Sequence, residues 1–394
     1  MNVLMFGWEY PPLSSGGLGT ACYGLTKGLS NNNVGVTFVI PSQKEISSPY
    51  AKMVSAGSLK TVKIDSPLTP YMTSSDYLSR ARRGAMYGDN LFDEVYRYSR
   101  IAEEIAANED FDVIHCHDWM TYKAGIAAKH VSGKPLIVHV HATEFDRTGG
   151  NGIHPIVYEI EKDGMEQADR VIAVSQFTKD KIVYHYGINP DKVSVVHNAV
   201  EFTNHEPCEG SRLKNGNKIV LFLGRITLQK GPDYFISAAK KCLDLDSNIR
   251  FVVAGTGDME GRMIEQAAEL GIADKVLFMG FLKGADIDRA YKMADLYVMP
   301  SVSEPFGITP LEAMRNKTPV LISKQSGVSE VIKNCLKVDF WDIDQMTNKI
   351  MGVLRYSELK EALSEDGFSE VQKFDWNTPA GKCAEIYRQV TQHG

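Results

Sequence analysis

Leu296-Tyr-Val-Met-Pro300, continuing through Ser301-Val-Ser-Glu304-Pro-Phe-Gly307-Ile-Thr-Pro-Leu-Glu312, is the stretch that decides the fold class. An apolar run closed by proline reads as a short buried strand, and the glycine turn before Thr309-Pro310 predicts a helix start. Strand, loop and helix in that order form half of a parallel βαβ unit, and open α/β sheets gather ligands at the carboxyl ends of their strands. Two carboxylates, Glu304 and Glu312, lie eight residues apart around that turn. Thr309, Pro310 and Glu312 match the N-cap, first and third positions of a capping box. Backbone N–H groups of Gly307, Ile308 and Thr309 would then face the region beyond the strand and favour an anion such as a phosphate. Glu312 alone reads as well as a capping arm. No local duty explains a glutamate directly before Pro305.

The same alternation runs outward in both directions. The first half offers NVLMFGWE, VGVTFVIP, VIHCHD, LIVHVHA, RVIAVS and VSVVHNA as strands, and the second IVLFLGR, FVVAGTG, VLFMGF, LYVMP and PVLIS, with amphipathic stretches such as Pro232–Leu243 and Met259–Leu270 between them. Strands alternating with helices predict an α/β protein of two doubly wound, Rossmann-like domains facing across a cleft. The aperiodic segment rich in Pro, Gly and Asn after Glu201 reads as a linker. It divides the chain into a domain over 1–205, a linker over 206–217 and a domain over 218–375, with a terminal helix, 376–394, available to cross back onto the first.

A chain of 394 residues with 43% hydrophobic content exceeds what one core usually organises. A net charge of -6 without long blocks of like charge excludes an electrostatic footprint for nucleic acid. Six scattered cysteines without a CxxC pair suit reduced thiols in a cytoplasmic protein. No apolar run reaches the length of a membrane span, and no signal peptide is expected.

Other clusters point to the same cleft. Gly16 and Gly17 in SGGLG follow the first strand and open a helix, so backbone there can approach a ligand closely. The spacing is not that of a dinucleotide fingerprint or a P-loop. Gly224-Arg225 and Lys230-Gly231 place two cations at another strand's carboxyl end, a combination suited to a diphosphate. His115, His117, His139 and His141 alternate along two strands and invite a zinc hypothesis, but strands buried on both faces more often hold hydrogen-bonded core histidines, so no metal is expected. Asp118 and His141 stand at strand ends lining the cleft. The Tyr71–Arg100 segment, with Arg80-Ala-Arg82-Arg83, reads either as a solvated loop and helix or as a contact surface for a large acceptor.

These residues resemble the retaining nucleotide-sugar glycosyltransferases of GT-B architecture, in the group that includes glycogen and starch synthases. The resemblance spans nearly the whole chain and rests on the E-x7-E motif at Glu304 and Glu312, GRITLQKG at Gly224–Gly231, SGGLG at Ser15–Gly19 and HCHDW at His115–Trp119. YGDNLFDEVYRYSR and the HAT at His141 look like the glucan-synthase branch, whereas Ser14-Ser15 stands where those enzymes usually carry Lys-Thr. The resemblance implies that Arg225 and Lys230 neutralise a donor diphosphate approached by Gly16 and Gly17 from the other domain. Glu304 would hold the sugar 3-hydroxyl, Glu312 the ribose, and the amides of Gly307, Ile308 and Thr309 phosphate or sugar oxygens. His141 would line the sugar pocket, Asp118 the acceptor side, and Phe281 and Leu282 the base. The implied reaction moves a hexosyl group, glucosyl first, from a UDP-, ADP- or GDP-sugar to a carbohydrate acceptor, an α-glucan foremost, with no metal or other cofactor. A small-sugar or surface-polysaccharide acceptor, a nucleotide-sugar 2-epimerase and a non-catalytic sugar-nucleotide binder are the alternative readings.

Overall fold

The computed structural model describes residues 1–13, 16–42, 46–56, 89–150, 152–202 and 216–392. Seven strands form the first sheet: β1 (Asn2–Phe6), β2 (Gly35–Ile40), β3 (Lys52–Ser55), β4 (Val113–His117), β5 (Leu136–Val140), β6 (Arg170–Ala173) and β7 (Val193–Val195). Six form the second: β8 (Lys218–Leu223), β9 (Ile249–Ala254), β10 (Val276–Gly280), β11 (Leu296–Met299), β12 (Val320–Ser323) and β13 (Leu336–Val338). The helices of the first half are α1 (Gly17–Asn31), α2 (Asp89–Asn108), α3 (Trp119–Ser132), α4 (Glu144–Arg147), α5 (Pro155–Gln167) and α6 (Gln176–Tyr186). Those that follow are α7 (Pro232–Leu245), α8 (Glu260–Glu269), α9 (Ala285–Met293), α10 (Thr309–Arg315), α11 (Ile343–Arg355), α12 (Ser357–Val371) and α13 (Asn377–Gln392).

The strand orders are β3-β2-β1-β4-β5-β6-β7 and β10-β9-β8-β11-β12-β13, with parallel pairing throughout the described ladders. Both sheets are therefore doubly wound, as the alternation of strands and helices predicts. The order reverses between β1 and β4 in one sheet and between β8 and β11 in the other, and such reversals open crevices at the strands' carboxyl ends. β4 and β5 are buried along their whole length, their histidines included, as strands covered on both faces are. The edge strands β3 and β13 are partly exposed and have no counterpart among the strands expected from sequence.

The final helix does cross. Trp376, Ala380, Cys383, Ala384, Ile386 and Tyr387 join the core of the first sheet. The close approach depends on glycine in α1: a Cβ at Gly28 would lie 2.2 Å from the Trp376 carbonyl oxygen, and one at Gly24 would strike the Trp376 ring. No helix among the described residues is long and apolar enough to cross a membrane. Ser14 and Ser15, the Arg80-Ala-Arg82-Arg83 cluster and most of the expected linker lie outside the described residues.

Candidate active site

On the second sheet, the loops leaving β8 and β11 meet at the reversal. The first carries Arg225 and Lys230 and the second Glu304. Val302 N–H donates to the Gln229 carbonyl at 2.9 Å, so the two loops are tied through backbone. Lys230 Nζ donates to Glu304 Oε2 at 2.5 Å, with the two side chains 19% and 8% exposed. Ser301 Oγ donates to the same carboxylate oxygen at 3.2 Å, and Arg225 reaches Gln229 Oε1 at 3.3 Å. Burial raises the Asp258 carboxyl above its ordinary range, and the nearby Arg225 charge opposes that shift.

Gly307 turns the chain. Its φ of +98 is a conformation that other residues rarely adopt, and a Cβ there would meet Glu304 Cγ at 3.1 Å. The turn presses against the Glu304 side chain.

The expected capping box does not form at Thr309. Helix α10 begins one residue earlier, with Ile308 as an αR cap lacking a side-chain bond. The reason is competition for the hydroxyl, because Thr309 Oγ1 is held 2.8 Å from Tyr297 Oη. Glu312 instead accepts from the Tyr291 hydroxyl at 3.2 Å, and burial raises its carboxyl above the ordinary value. A capping box does form elsewhere, between Thr143 and Asp146 at the start of α4.

On the first sheet, Gly16 and Gly17 are exposed, and a Cβ on either would point into open space. Asp118 is 1% exposed, with φ 60 and ψ 167, a strained backbone for a residue other than glycine. Its Oδ1 accepts from His141 N–H at 2.7 Å and Ala142 N–H at 3.2 Å, so it anchors the His141 loop. Burial pushes Asp118 up to about 6 and His141 down to about 3. Below the loop, Arg147 pairs with buried Glu144 and Glu161.

The two halves grip each other beside Glu304. Ser303 Oγ donates to Asp146 Oδ1 at 2.6 Å, and Lys181 Nζ lies 2.5 Å from both Asp146 Oδ1 and Ser303 Oγ. Ser175 Oγ donates to the Pro305 carbonyl at 2.5 Å. The loop bearing His141 is thus fixed, through α4, to the loop bearing Glu304.

Arg225, Lys230, Glu304 and Gly307 form one constellation, while Asp118 and His141 form another on the facing domain. Glu312 is engaged with Tyr291, and Ile308 and Thr309 begin α10. Phe281, half-exposed, and Leu282 lie beyond β10, two strands from β8 in the sheet order. Asp146, Lys181 and Ser303 escaped the reading of the sequence. The one available signal was the Thr143-x-x-Asp146 spacing of a capping box.

Two family models together span most of the chain: Glycosyltransferase Family 4 matches residues 15–203, and Glycosyl transferases group 1 matches 208–369. An uncharacterized glycosyltransferase of Methanocaldococcus jannaschii is 30% identical, with 98% of each chain covered. The glycogen synthase of Mycobacterium tuberculosis is 25% identical over 98% of this chain and 94% of its own. Among solved structures, the sucrose-phosphate synthase from Thermosynechococcus elongatus covers 100% of both chains with a TM-score of 0.81 at 19% identity. Two doubly wound parallel sheets and these matches along the whole length lead to one assignment: the chain belongs to the glycosyltransferases, with a Family 4 half and a group 1 half, and has the GT-B fold.

Proposed function

We propose that this glycosyltransferase moves a hexosyl group, glucosyl first, from a nucleotide-diphosphate sugar to an acceptor hydroxyl, with retention at the anomeric carbon and an α-glucan as the preferred acceptor. The observation that carries the reading is the Lys230–Glu304 pair beside Arg225 at the β8–β11 reversal, tied through Ser303 to the domain that bears His141. Departure of a nucleoside diphosphate leaves negative charge on the phosphate oxygens. Fixed cations aimed at that charge lower the barrier more than any other single contribution. A bound diphosphate draws Lys230 and Arg225 to its oxygens, and Glu304, relieved of its ammonium partner, accepts a hydrogen bond from the sugar. His141 lines the sugar side.

Neither Glu304 nor Glu312 serves as a nucleophile in this scheme. Retention follows when the acceptor hydroxyl enters on the face the diphosphate leaves, giving its proton to the departing oxygen as the new bond forms. The glycogen synthase relative favours a glucan acceptor. Domain closure keeps water from the activated sugar. Incubation with UDP-, ADP- and GDP-sugars, with and without glycogen, tests the reading: acceptor-dependent nucleotide release and an α-linkage by NMR support it. Donor binding without release to any acceptor refutes it.

A further inference from the structure

We infer that His115, His117 and His139 form a binding site for a divalent transition metal of the zinc class, set in the first domain behind His141. His115 and His117 project from one face of β4, and the ladder pairs His117 with His139 on β5. One ring nitrogen from each of the three lies within 4.8 Å of the others. His115 Nε2 and His139 Nδ1 stand 3.3 Å apart. That separation exceeds the usual hydrogen-bond range of about 2.7–3.2 Å. It equals the edge of a tetrahedron whose metal–nitrogen bonds are about 2.0–2.1 Å.

The remaining nitrogens support the assignment. His117 is 0% exposed, yet its Nε2 lacks a hydrogen-bond partner. Leaving a buried nitrogen unpaired is costly, and a metal shared with His115 Nε2 and His139 Nδ1 would take up His117 Nε2. The outer nitrogens of the His-x-His pair are occupied: His115 Nδ1 lies 2.6 Å from the Tyr387 hydroxyl and His117 Nδ1 2.9 Å from His141 Nε2. Such outer contacts fix the tautomer and direct the Nε2 lone pair inward. An all-imidazole donor set selects zinc, cobalt, nickel or copper over magnesium and calcium. With three protein ligands, water fills the fourth position.

A consequence reaches the cleft. Metal on His117 Nε2 keeps the proton on Nδ1, so His141 accepts at Nε2 and presents its Nδ1–H to the sugar side. This last step rests on the role proposed for His141, whereas the site itself does not.

The test uses untagged full-length protein, stripped with a chelator, reloaded with Zn²⁺ or Co²⁺, passed through gel filtration and analysed for metal content. The expected result is about one equivalent per chain, intense visible bands of four-coordinate cobalt and a rise in Tm on reloading. His139→Gln and His115→Phe should each lose at least tenfold in affinity. Wild-type protein that retains less than about a tenth of an equivalent overturns the inference and leaves a histidine nest bridged by internal water. So does a folded His139→Gln variant that binds as tightly as wild type. Metal content is read without turnover, so its outcome is independent of whether sugar transfer is observed.

Discussion

Replacing Lys230 by alanine should separate the two duties of that side chain. Its ammonium neutralises Glu304, whose side chain is 8% exposed, so the variant strands a buried carboxylate. Breaking a buried pair from one side costs about 3–5 kcal/mol. Ser301 still donates to Glu304, which favours the lower end, about 3 kcal/mol. At about 2–4 °C per kcal/mol for a domain of this size, Tm should fall by about 6–12 °C. Adding Glu304→Gln removes the stranded charge, so the double variant should regain much of the loss, with a coupling energy of about 1–3 kcal/mol. Turnover should not follow. Loss of one charge-stabilising group lowers kcat by about 10²–10³, and the glutamine cannot restore the cation at the leaving group. Thermal melts and nucleotide-release kinetics on the four proteins complete the cycle. A K230A enzyme with kcat within about threefold of wild type would refute the catalytic argument and leave the pair structural.

Three further outcomes follow from the geometry. Gly307→Ala should lose about 1–2 kcal/mol from the left-handed backbone alone and weaken donor binding as Glu304 is displaced, measured by denaturant melts and calorimetric titration; unchanged donor affinity would remove Gly307 from the site. Glu161, pushed up to about 7 by burial against the opposing effect of Arg147 and the Tyr186 hydroxyl, binds its proton more tightly folded than unfolded. Its stabilising contribution is therefore complete below the unfolded value of about 4.5 and lost as pH rises through 7, so wild type should weaken relative to Glu161→Gln over that window; a flat difference across pH would contradict it. Lys181→Met should loosen the grip between Asp146 and Ser303, enlarging the radius of gyration in small-angle scattering and raising KM for donor more than it lowers kcat. Identical scattering and KM would show that the contact does not set domain closure.

Much of this molecule was legible from local pattern. The inner strands carry continuous apolar runs because both faces are covered, and the Glu304–Glu312 turn announced itself through Gly307. The edges did not. Lys52–Ser55 and Leu336–Val338 are short, partly exposed and interrupted by lysine, so neither rises above a loop. The Thr309-x-x-Glu312 spacing reads as a capping motif, but a tyrosine hydroxyl takes that threonine, and the box forms at Thr143 and Asp146. Contacts such as Ser303 with Asp146 join positions 157 residues apart and leave no periodic trace. The histidines were visible as a pattern, but the separations and the orphaned nitrogen that distinguish a ligand nest from a hydrogen-bonded stack exist only once β4 and β5 are aligned.

The crossing of α13 has a consequence for biosynthesis. Trp376 and Ala380, buried against Gly24 and Gly28 of α1, leave the ribosome some 350 residues after it. During translation the opening half of the polypeptide must wait with an apolar trough uncovered while the entire other lobe is made. A nascent chain halted before Trp376 should accordingly recruit holdase chaperones through its early half, even though the missing piece belongs to its far end.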